Sequence, residues 1–443
     1  MLKGLALTAG TVSHWMNNAK TKKDIKRIHQ QAIEANYVNR AVFAPPSVDT
    51  LQLLLTTKEA TDNDVYRYDS ENENLGLNFI WGEDSSPQNT IVSGGTVQDR
   101  VSALMPFINK SQQQGLPVFV LHTNNKDLEQ MVKDNSVVCE CLSDRGFYYN
   151  PFRSLPADDM IYLLTETMDG EPKAENVLRA LVDTIIHKEG AINIENLSNF
   201  PLASLIDELN TLQSAGEITP EEYASISSAY MAGSTEIDNV RSFLNKLNRQ
   251  FESIFGRPQP NEANTKKILN QKGVVTVDVG IGNNDLVINL LIHHIKYLQL
   301  ARKEFAILLD GLDLGKSPQL AELVYGQTYA ISHSDFVSSL YENERTGDNL
   351  FTKLTGEVPI MVFFKHRSGT SAQKLSEHLG TYHKIRIKMN ISQTSAFLVG
   401  NNNTRGVSVD EADEPRVRAE SILKLPEGVA CIDTTAGTLF SSL

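Results

Sequence analysis

The residues from Gly94 to Ser102 could hold the phosphates of a nucleotide, because they follow the spacing of a P-loop. A working P-loop reads G-x-x-x-x-G-K-[ST]: backbone N–H groups surround the phosphates, the lysine neutralises charge and the hydroxyl binds Mg²⁺. In IVSGGTVQDRVSALM, counting from Gly94 places Asp99 at the second glycine, Arg100 at the lysine and Val101 at the hydroxyl residue. The spacing is retained, and three chemical positions are changed.

Each change weakens nucleotide chemistry. Asp99 adds a Cβ and a negative charge where a phosphate must approach. Arg100 keeps a positive charge, but its planar fork is bulkier than an ammonium. Val101 removes the hydroxyl for Mg²⁺, and Ser102 comes one residue later, about 100° further around a helix. We therefore predict a degenerate nucleotide-binding segment, in which ATP and Mg²⁺ are cofactors only if the loop still binds them. Its members are Gly94, Gly95, Thr96, Asp99, Arg100, Val101 and Ser102.

A second segment, FAILLDGL, ends an apolar run in Asp310. In P-loop ATPases, an acid at the end of a strand orders the Mg²⁺ water shell, and a following Glu commonly activates the attacking water. Here the next residue is Gly311, so the catalytic base is missing. Of the two acids that a P-loop ATPase uses here, only the one at the strand end remains, as Asp310. We therefore do not expect a working ATPase.

The elements around these segments alternate between strand and helix. The order is GLNFIW, TIVSGG with its glycine loop, the helix VSALMPFINKSQQQG and the strand LPVFVLH. Continuous apolar strands separated by helices predict a mainly parallel sheet with right-handed crossovers. From about residue 157 to 256 the apolar spacing is helical, and the sheet resumes with GVVTVDVG and EFAILLDGLDLG.

The composition is that of an ordinary globular protein of 443 residues. A formal charge of −13 and a pI near 5.3 argue against a surface coated with nucleic-acid-binding charge. The three cysteines lack zinc-like spacing, so no metal site is predicted. Polar residues interrupt the apolar N-terminal run too early for a membrane span of about 20 residues. We predict a cytoplasmic protein without a direct membrane span, recruited to the inner membrane through partners if at all.

Taken in order, these segments resemble the cytoplasmic ATPase region of type IV secretion coupling proteins, the TraG/TraD-like branch of the FtsK/HerA superfamily. The resemblance covers roughly residues 75–435. It rests on TIVSGGTVQDRVSAL, YYNPF, the helical insertion, ILLDGLDLG with PQLAELV, ISHSDFVSSLY, LSEHLGTY and PRVRAESILKLPEGVACI. The chain departs from the family in its altered Walker A segment, in lacking a Glu after Asp310 and in having no N-terminal membrane spans.

The resemblance implies a RecA-like P-loop NTPase fold, α/β with a mainly parallel sheet and an inserted all-α domain. We predict an N-terminal region at 1–74, the first part of the RecA-like nucleotide-binding-fold domain at 75–156, the all-α insertion at 157–262 and the second part at 263–443. Such proteins are typically hexameric motors at the cytoplasmic mouth of a secretion or conjugation channel. The implied partners are the secretion or conjugation machinery, DNA or protein cargo, and further copies or relatives in a homo- or hetero-oligomer.

Three functions stay open, and the first is preferred. They are a pseudo-ATPase that recruits a substrate or partner, an active motor for DNA or protein translocation, and a non-catalytic oligomeric scaffold. His333 follows a strand and, by the resemblance, could occupy the family's sensor position near a γ-phosphate. The basic clusters FFKHRSG and YHKIRIKMN could contact a substrate, but we favour a polar strand end for the first and a solvated edge strand for the second. Their candidate contact residues are Lys365, Arg367, Lys384, Arg386 and Lys388.

Overall fold

The structure, a computed structural model, describes most of the chain, and the account below is confined to those residues. They are 9–18, 22–43, 86–144, 148–153, 155–259, 262–263, 265–280, 284–300, 304–341, 344–356, 358–394, 402–435 and 437–443. The strand predicted within GLNFIW lies outside them. The chain divides into two compact units, Met1–Ala103 with His333–Ser339 and Phe351–Leu443, and Leu104–Ser332 with Leu340–Leu350.

The first unit has five strands in the order β1-β14-β13-β10-β2. β10 runs parallel to β2, β1 runs parallel to β14, and β13 is antiparallel to both β10 and β14. The strands are β1 Val42–Phe43, β2 Thr90–Ser93, β10 Ile360–Phe363, β13 Val429–Thr434 and β14 Gly437–Ser442. A long antiparallel hairpin of β11 Thr381–Thr394 and β12 Asn402–Pro415 belongs to the same unit.

Helices of this unit connect or cover those strands. α1 Ala9–Asn17 and α2 Lys22–Arg40 precede the sheet, and α3 Val97–Gln113 begins after the glycine loop that follows β2. From Leu104 onwards α3 belongs to the second unit. The shorter helices are α14 Phe336–Ser339, α16 Gly369–His378 and α17 Ala419–Leu423. The predicted strand, glycine loop and helix thus follow one another in the predicted order, but the helix begins at Val97, four residues before the predicted start at Val101.

The second unit has five strands in the order β9-β8-β3-β7-β4, and every neighbouring pair is parallel. They are β3 Val118–His122, β4 Cys139–Cys141, β7 Val274–Asp278, β8 Ala306–Asp310 and β9 Tyr329–His333. All residues of β3 and β8 are buried, which explains their continuous apolar sequences. A separate parallel pair joins β5 Tyr148–Tyr149 to β6 Glu262–Ala263.

Helices separate these parallel strands, as the crossover rule requires. They are α4 Lys126–Asn135, α11 Thr265–Asn270, α12 Asp285–Leu300 and α13 Pro318–Val324. A further helix, α15 Glu344–Gly356, follows β9 and is divided between the two units after Leu350. The predicted α/β class, with a mainly parallel sheet and an inserted run of helices, is confirmed.

The inserted helices occupy the chain between Ala157 and Phe255. Their ends follow local capping chemistry: Thr219 and Glu222 form a capping box, and Gly216 ends a helix in the left-handed conformation. The helices are α5 Ala157–Met168, α6 Pro172–Glu189, α7 Ile194–Asn199, α8 Leu205–Ala215, α9 Pro220–Ala232 and α10 Ile237–Phe255. The two units do not follow the predicted domain boundaries, which stay a prediction. Among the described residues, no helix is both long and apolar enough to cross a membrane.

Candidate functional site

The glycine loop after β2 already uses two backbone donors that a P-loop would direct at phosphate. The N–H of Gly94 donates to the carbonyl of His333 at 3.1 Å, and the N–H of Gly95 donates to the carbonyl of Lys365 at 3.0 Å. Both glycines have positive φ values, +85° and +68°. Because a backbone N–H is a single donor, these two groups are not available to a nucleotide while the loop keeps this conformation.

Asp99 and Thr96 form a reciprocal cap at the start of α3. The Thr96 N–H donates to the Asp99 carboxylate at 2.8 Å, and the Asp99 N–H donates to the Thr96 hydroxyl at 3.2 Å. This is the hydrogen-bond pattern of a capping box. A carboxylate of the chain itself therefore lies at the helix N-terminus, the position where a P-loop binds the anion of its ligand.

Arg100, at the position of the P-loop lysine, turns towards the loop's own backbone. Its Nη1 lies 3.4, 3.2 and 3.3 Å from the carbonyl oxygens of Gly94, Gly95 and Thr96, and the residue is only 8% exposed. Val101 is fully buried, and Ser102 is half-buried one position later. Arg100 therefore bonds to the loop itself, and Val101 packs in the interior of the protein.

Gly94 and Gly95 pack closely against β10 and the residues that follow it, which leaves no room for a Cβ at either position. A Cβ on Gly94 would lie 2.7 Å from His366 Cε1 and 2.8 Å from the Phe364 carbonyl oxygen. A Cβ on Gly95 would lie 2.7 Å from Phe364 Cβ. Both positions require glycine because neighbouring atoms of the chain occupy the space of a Cβ.

A buried hydrogen-bonded group fixes the end of β2. The Ser93 hydroxyl lies 2.8 Å from His366 Nε2 and accepts the N–H of Phe336 at 3.0 Å. His366 Nδ1 lies 2.8 Å from the Phe364 carbonyl oxygen, which makes Nδ1 the donor and Nε2 the acceptor of the serine proton. Burial lowers the pKa of His366. This serine and histidine are too buried to meet a substrate, and they join three chain segments.

The predicted sensor, His333, engages its ring in a local turn. Its Nδ1 lies 3.0 Å from the backbone nitrogen of Asp335 and 2.8 Å from the backbone oxygen of the same residue. The structure therefore brings His333 close to the glycine loop through its carbonyl group, which accepts from Gly94. Its sensor role stays a prediction.

The two basic clusters differ in what their side chains contact. Lys365 and Arg367 are exposed on either side of buried His366, and neither forms an ion pair with any residue that the structure describes. Lys384 is only 6% exposed and lies 3.2 Å from Glu414, which also pairs with Arg386.

Glu414 is the centre of that second cluster. Burial alone would raise its pKa, but Arg386, Lys384 and Arg418 outweigh burial and lower the pKa to about 2. Two of the candidate contact cations are therefore paired with a carboxylate, Lys384 in the interior and Arg386 at the surface. The side chain of Lys388 lies outside the described residues.

In the second unit, Asp310 is 2% exposed at the end of β8. Its Oδ2 accepts the side-chain amide of Asn125 at 2.7 Å, and the other end of that amide accepts the N–H of Leu128. Asn125 thereby caps α4 and is held by Asp310. Asp310 therefore links the end of β8 to the start of α4.

Next to Asp310 lies a polar cluster that the sequence analysis did not identify. His122, which ends β3, is in register with Asp278 on β7 and with Asp310 on β8. Glu129 of α4 accepts from Cys141 Sγ at 3.0 Å and lies 3.3 Å from His122 Nε2. Lys126 lies 3.1 Å from Glu129 and 3.0 Å from Asp278.

The charges of this cluster are mutually compensated. Burial alone would raise the pKa of Glu129, but bonds from His122, Cys141 and Lys126 lower it to about 2. Burial, together with the bond to Glu129, raises the pKa of the Cys141 thiol. Burial would also raise the pKa of Asp278, yet backbone N–H groups of Asn124 and Gly280 and the ammonium of Lys126 lower it.

Ligand atoms of His122, Glu129 and Asp278 lie within 4.8 Å of one another, close enough to share a metal ion. Two features disfavour a metal here. His122 Nδ1 accepts the Asn125 N–H at 3.2 Å, which leaves the ring proton on Nε2, the atom that faces the carboxylates. A metal-ligating histidine instead donates from its second nitrogen. Lys126 also places its ammonium between the two carboxylates.

The sequence contains a signal for this cluster that could have been followed. VFVLH, VVTVD and AILLD each end a buried apolar run in His122, Asp278 or Asp310. The carboxyl ends of parallel strands meet at one edge of a sheet. By contrast, nothing in the sequence near Ser93 indicates that it bonds to His366.

Comparisons with known proteins identify structural neighbours only. No protein-family model matches the chain, and no curated protein matches it. The bacterial conjugative coupling protein TrwBdeltaN70, in an unbound form, has a TM-score of 0.49 and 14% identity over 81% of this chain and 85% of its own. Plasmid coupling protein TrwB in complex with ADP and Mg²⁺ has a TM-score of 0.47 and 14% identity over 82% and 86%.

VirB4 of Thermoanaerobacter pseudethanolicus has a TM-score of 0.43 and 9% identity over 82% of this chain and 90% of its own. Conjugative coupling proteins are thus among the structures that this chain resembles, in agreement with the resemblance stated from its sequence.

Proposed function

We propose that this chain is a coupling-protein-like subunit of a type IV secretion or conjugative transfer system, a pseudo-ATPase that recruits a substrate or partner. One observation carries the proposal: the glycine loop satisfies its own donors, with Gly94 bonded to His333, Gly95 bonded to Lys365 and Thr96 bonded to Asp99. A location in the cytoplasm, recruitment to the inner membrane through partners and assembly into an oligomer belong to the same proposal.

The argument concerns three requirements of ATP chemistry. Phosphate binding needs free N–H groups, and those of Gly94 and Gly95 are bonded to carbonyls. Charge neutralisation needs a cation facing the ligand, and Arg100 faces the loop carbonyls. Mg²⁺ needs a hydroxyl, and buried Val101 offers none. In this chain the N–H groups of the loop and the guanidinium of Arg100 are thus all bonded to other atoms of the protein.

The test is a titration of the purified protein with ATP and Mg²⁺ by calorimetry, together with an assay of phosphate release. We expect no saturable binding at ATP concentrations up to roughly 1 mM, the upper end of usual enzyme KM values. We also expect no turnover above background. Saturable binding with turnover would instead support the alternative, an active motor. The variant Asp310→Asn is the control, because turnover that it leaves unchanged must come from a contaminant.

The recruiting surface that we propose includes Lys365 and Arg367. Both are exposed at the carboxyl end of β10, where α/β sheets commonly bind ligands. The test compares binding of a single-stranded DNA oligonucleotide to the protein and to Lys365→Gln/Arg367→Gln. Cargo DNA should bind the variant more weakly and with a smaller salt dependence. Equal binding, or none by either protein, would leave protein cargo as the substrate of this surface.

A further inference from the structure

A cavity of about 330 Å³ opens at the amino ends of three neighbouring strands of the second unit, β7, β3 and β8. The residues just before these strands line it: Leu116 and Pro117 before β3, Lys272 before β7 and Glu304 before β8. The Val118 N–H of β3 donates to the Gly273 carbonyl at 3.1 Å. The Ala306 N–H of β8 donates to the Pro117 carbonyl at 2.8 Å. The sheet therefore fixes the walls of this cavity.

Lys272 has a backbone conformation that is unusual for a lysine. Its φ is +61°, in the left-handed region that glycine adopts freely and other L-residues adopt at a cost. It follows α11, and its N–H donates to the Leu269 carbonyl at 3.0 Å. Helices commonly have glycine or asparagine at such a position. Lysine is unfavourable for this helix end, so any advantage of lysine here comes from its side chain.

The Lys272 side chain lies against Gly115 on the wall of the cavity. A Cβ at Gly115 would be 2.5 Å from Lys272 Nζ and 3.2 Å from its Cδ and Cε. Lys272 is exposed, and its ammonium forms no hydrogen bond or ion pair with any residue that the structure describes. Glu304 is also exposed and likewise has no partner in the described part of the chain. The cavity thus contains a cation and a carboxylate that do not pair with each other.

The rest of the cavity combines an apolar part with a negative field. Leu269 is buried and Leu116 is half-buried, and both line the cavity. α3 ends at Gln113, directly before the cavity residues Gln114 and Gly115. The negative end of the α3 macrodipole therefore lies at the cavity, where it adds to the attraction of Glu304 for an ammonium group.

We propose that this cavity binds a free α-amino acid with an apolar side chain. The ligand carboxylate pairs with Lys272, its ammonium pairs with Glu304, and its side chain contacts the two leucines. The volume of about 330 Å³ is at the small end of ligand cavities, which suits a single amino acid. A nucleotide does not match this charge pattern, because its several phosphate charges would meet one cation and a carboxylate.

The experiment is saturation-transfer NMR of the full chain with leucine, methionine and phenylalanine, followed by titration of the one that binds most tightly. We expect saturable binding. Two derivatives of that amino acid test the two charges separately: the amide lacks the carboxylate, and the N-acetyl derivative lacks the ammonium. Each derivative should bind about fivefold more weakly than the amino acid, the upper range for an exposed ion pair.

Two variants identify which residue recognises which charge. Lys272→Gln should lose most of the preference for the amino acid over its amide. Glu304→Gln should lose most of the preference for the amino acid over its N-acetyl derivative. The matched controls Lys173→Gln and Glu217→Gln remove exposed charges outside the cavity and should bind like the unchanged protein. Thermal unfolding without ligand verifies that each variant is folded.

A third variant, Lys272→Gly, separates ligand binding from a structural role. Glycine adopts a φ of +61° without strain, so the unfolding temperature should rise. Binding should nevertheless weaken as much as in Lys272→Gln. If this variant is less stable and binds normally, Lys272 is a structural residue and the proposal fails.

The proposal is also overturned if none of the three amino acids shows saturable binding, or if both derivatives bind as tightly as the amino acid. Equal losses in the control and cavity variants would overturn it as well. The polar cluster of His122 and Asp278 lies at the carboxyl ends of the same strands, about 16 Å from the cavity. Because the cavity includes no residue of the glycine loop, this proposal and that of a pseudo-ATPase can fail independently.

Discussion

The Asp99 carboxylate accepts the backbone N–H of Thr96 at 2.8 Å, so the helix after the glycine loop carries an anion of its own. Compared with a P-loop, Asp99 replaces a glycine and obstructs phosphate. In the structure it is the third helical residue of a capping box and stabilises the start of α3. The loop thus connects strand and helix through its own hydrogen bonds. Asp99 caps α3, and Arg100 bonds to the loop carbonyls, so two of the residues that depart from the P-loop pattern stabilise this conformation.

Restoring the P-loop side chains alone should not restore ATP hydrolysis. In Asp99→Gly/Arg100→Lys/Val101→Thr, the N–H groups of Gly94 and Gly95 would still donate to backbone carbonyls. The variant also loses a helix cap, at a cost of about 1 kcal/mol, and buries a hydroxyl. We expect phosphate release at background and a lower unfolding temperature. Turnover that disappears when Asp310→Asn is added would show that the three side chains were the whole obstacle.

Gly94 should be required for folding more strictly than a glycine in open space. In Gly94→Ala, the new Cβ would lie 2.7 Å from His366 Cε1 at a φ of +85°. Gly190 also has a positive φ, +72°, but no atom lies within 4 Å of its Cβ position. We expect Gly190→Ala to cost about 1–2 kcal/mol of unfolding free energy.

Gly94→Ala should cost at least about 3 kcal/mol, because overpacking adds to the backbone strain. Urea unfolding of both variants provides the comparison. Similar losses at the two glycines would mean that the loop has room to adjust and that packing does not explain Gly94.

The parts of the fold that local sequence determines were predictable. Apolar runs such as VFVLH and AILLD are long enough to be buried strands, and the glycines after TIVS mark the turn into α3. The residues at which the glycine loop begins, and the three positions that differ from a P-loop, could be read directly. Parallel pairing followed from the helices between the strands.

The contacts that determine what the loop can do were not predictable, because they join residues distant in sequence. Ser93 and His366 are separated by 273 positions. The carbonyl of His333 is presented to Gly94 only when the strands are assembled. His122 and Asp278 are an intermediate case: the sequence indicates that both lie at one edge of the sheet, but not that their strands are neighbours in this register.

Removing the guanidinium of Arg100 should loosen the glycine loop. Arg100→Met keeps much of the side-chain volume but leaves the carbonyls of Gly94, Gly95 and Thr96 without their charged donor. Hydrogen bonds to charged groups contribute about 1.5–3 kcal/mol, so the unfolding free energy should fall by about that amount. Hydrogen–deuterium exchange of peptides covering the loop should increase.

The matched control is Arg249→Met, which removes an exposed guanidinium from the helical insertion. It should change stability by no more than about 0.5 kcal/mol. If the two variants behave alike, the inward orientation of Arg100 contributes nothing to the loop.

Glu129 should make stability depend on pH in the acid range. Its folded-state pKa of about 2 lies below its ordinary value of 4.5, because the bonds from His122, Cys141 and Lys126 outweigh burial. A depressed pKa stabilises the folded state above the unfolded-state value, and that contribution is lost as the pH falls from 4.5 towards 2. At neutral pH this contribution to the free energy of unfolding should be on the order of 3 kcal/mol.

The measurement is urea unfolding of the protein and of Glu129→Gln across this pH range. The difference between their midpoints should be largest near neutrality and should shrink towards pH 2, whereas Glu217→Gln, at an exposed glutamate, should show no such trend. A difference that stays constant with pH would mean that the carboxylate charge of Glu129 is not what joins β3, β4 and α4.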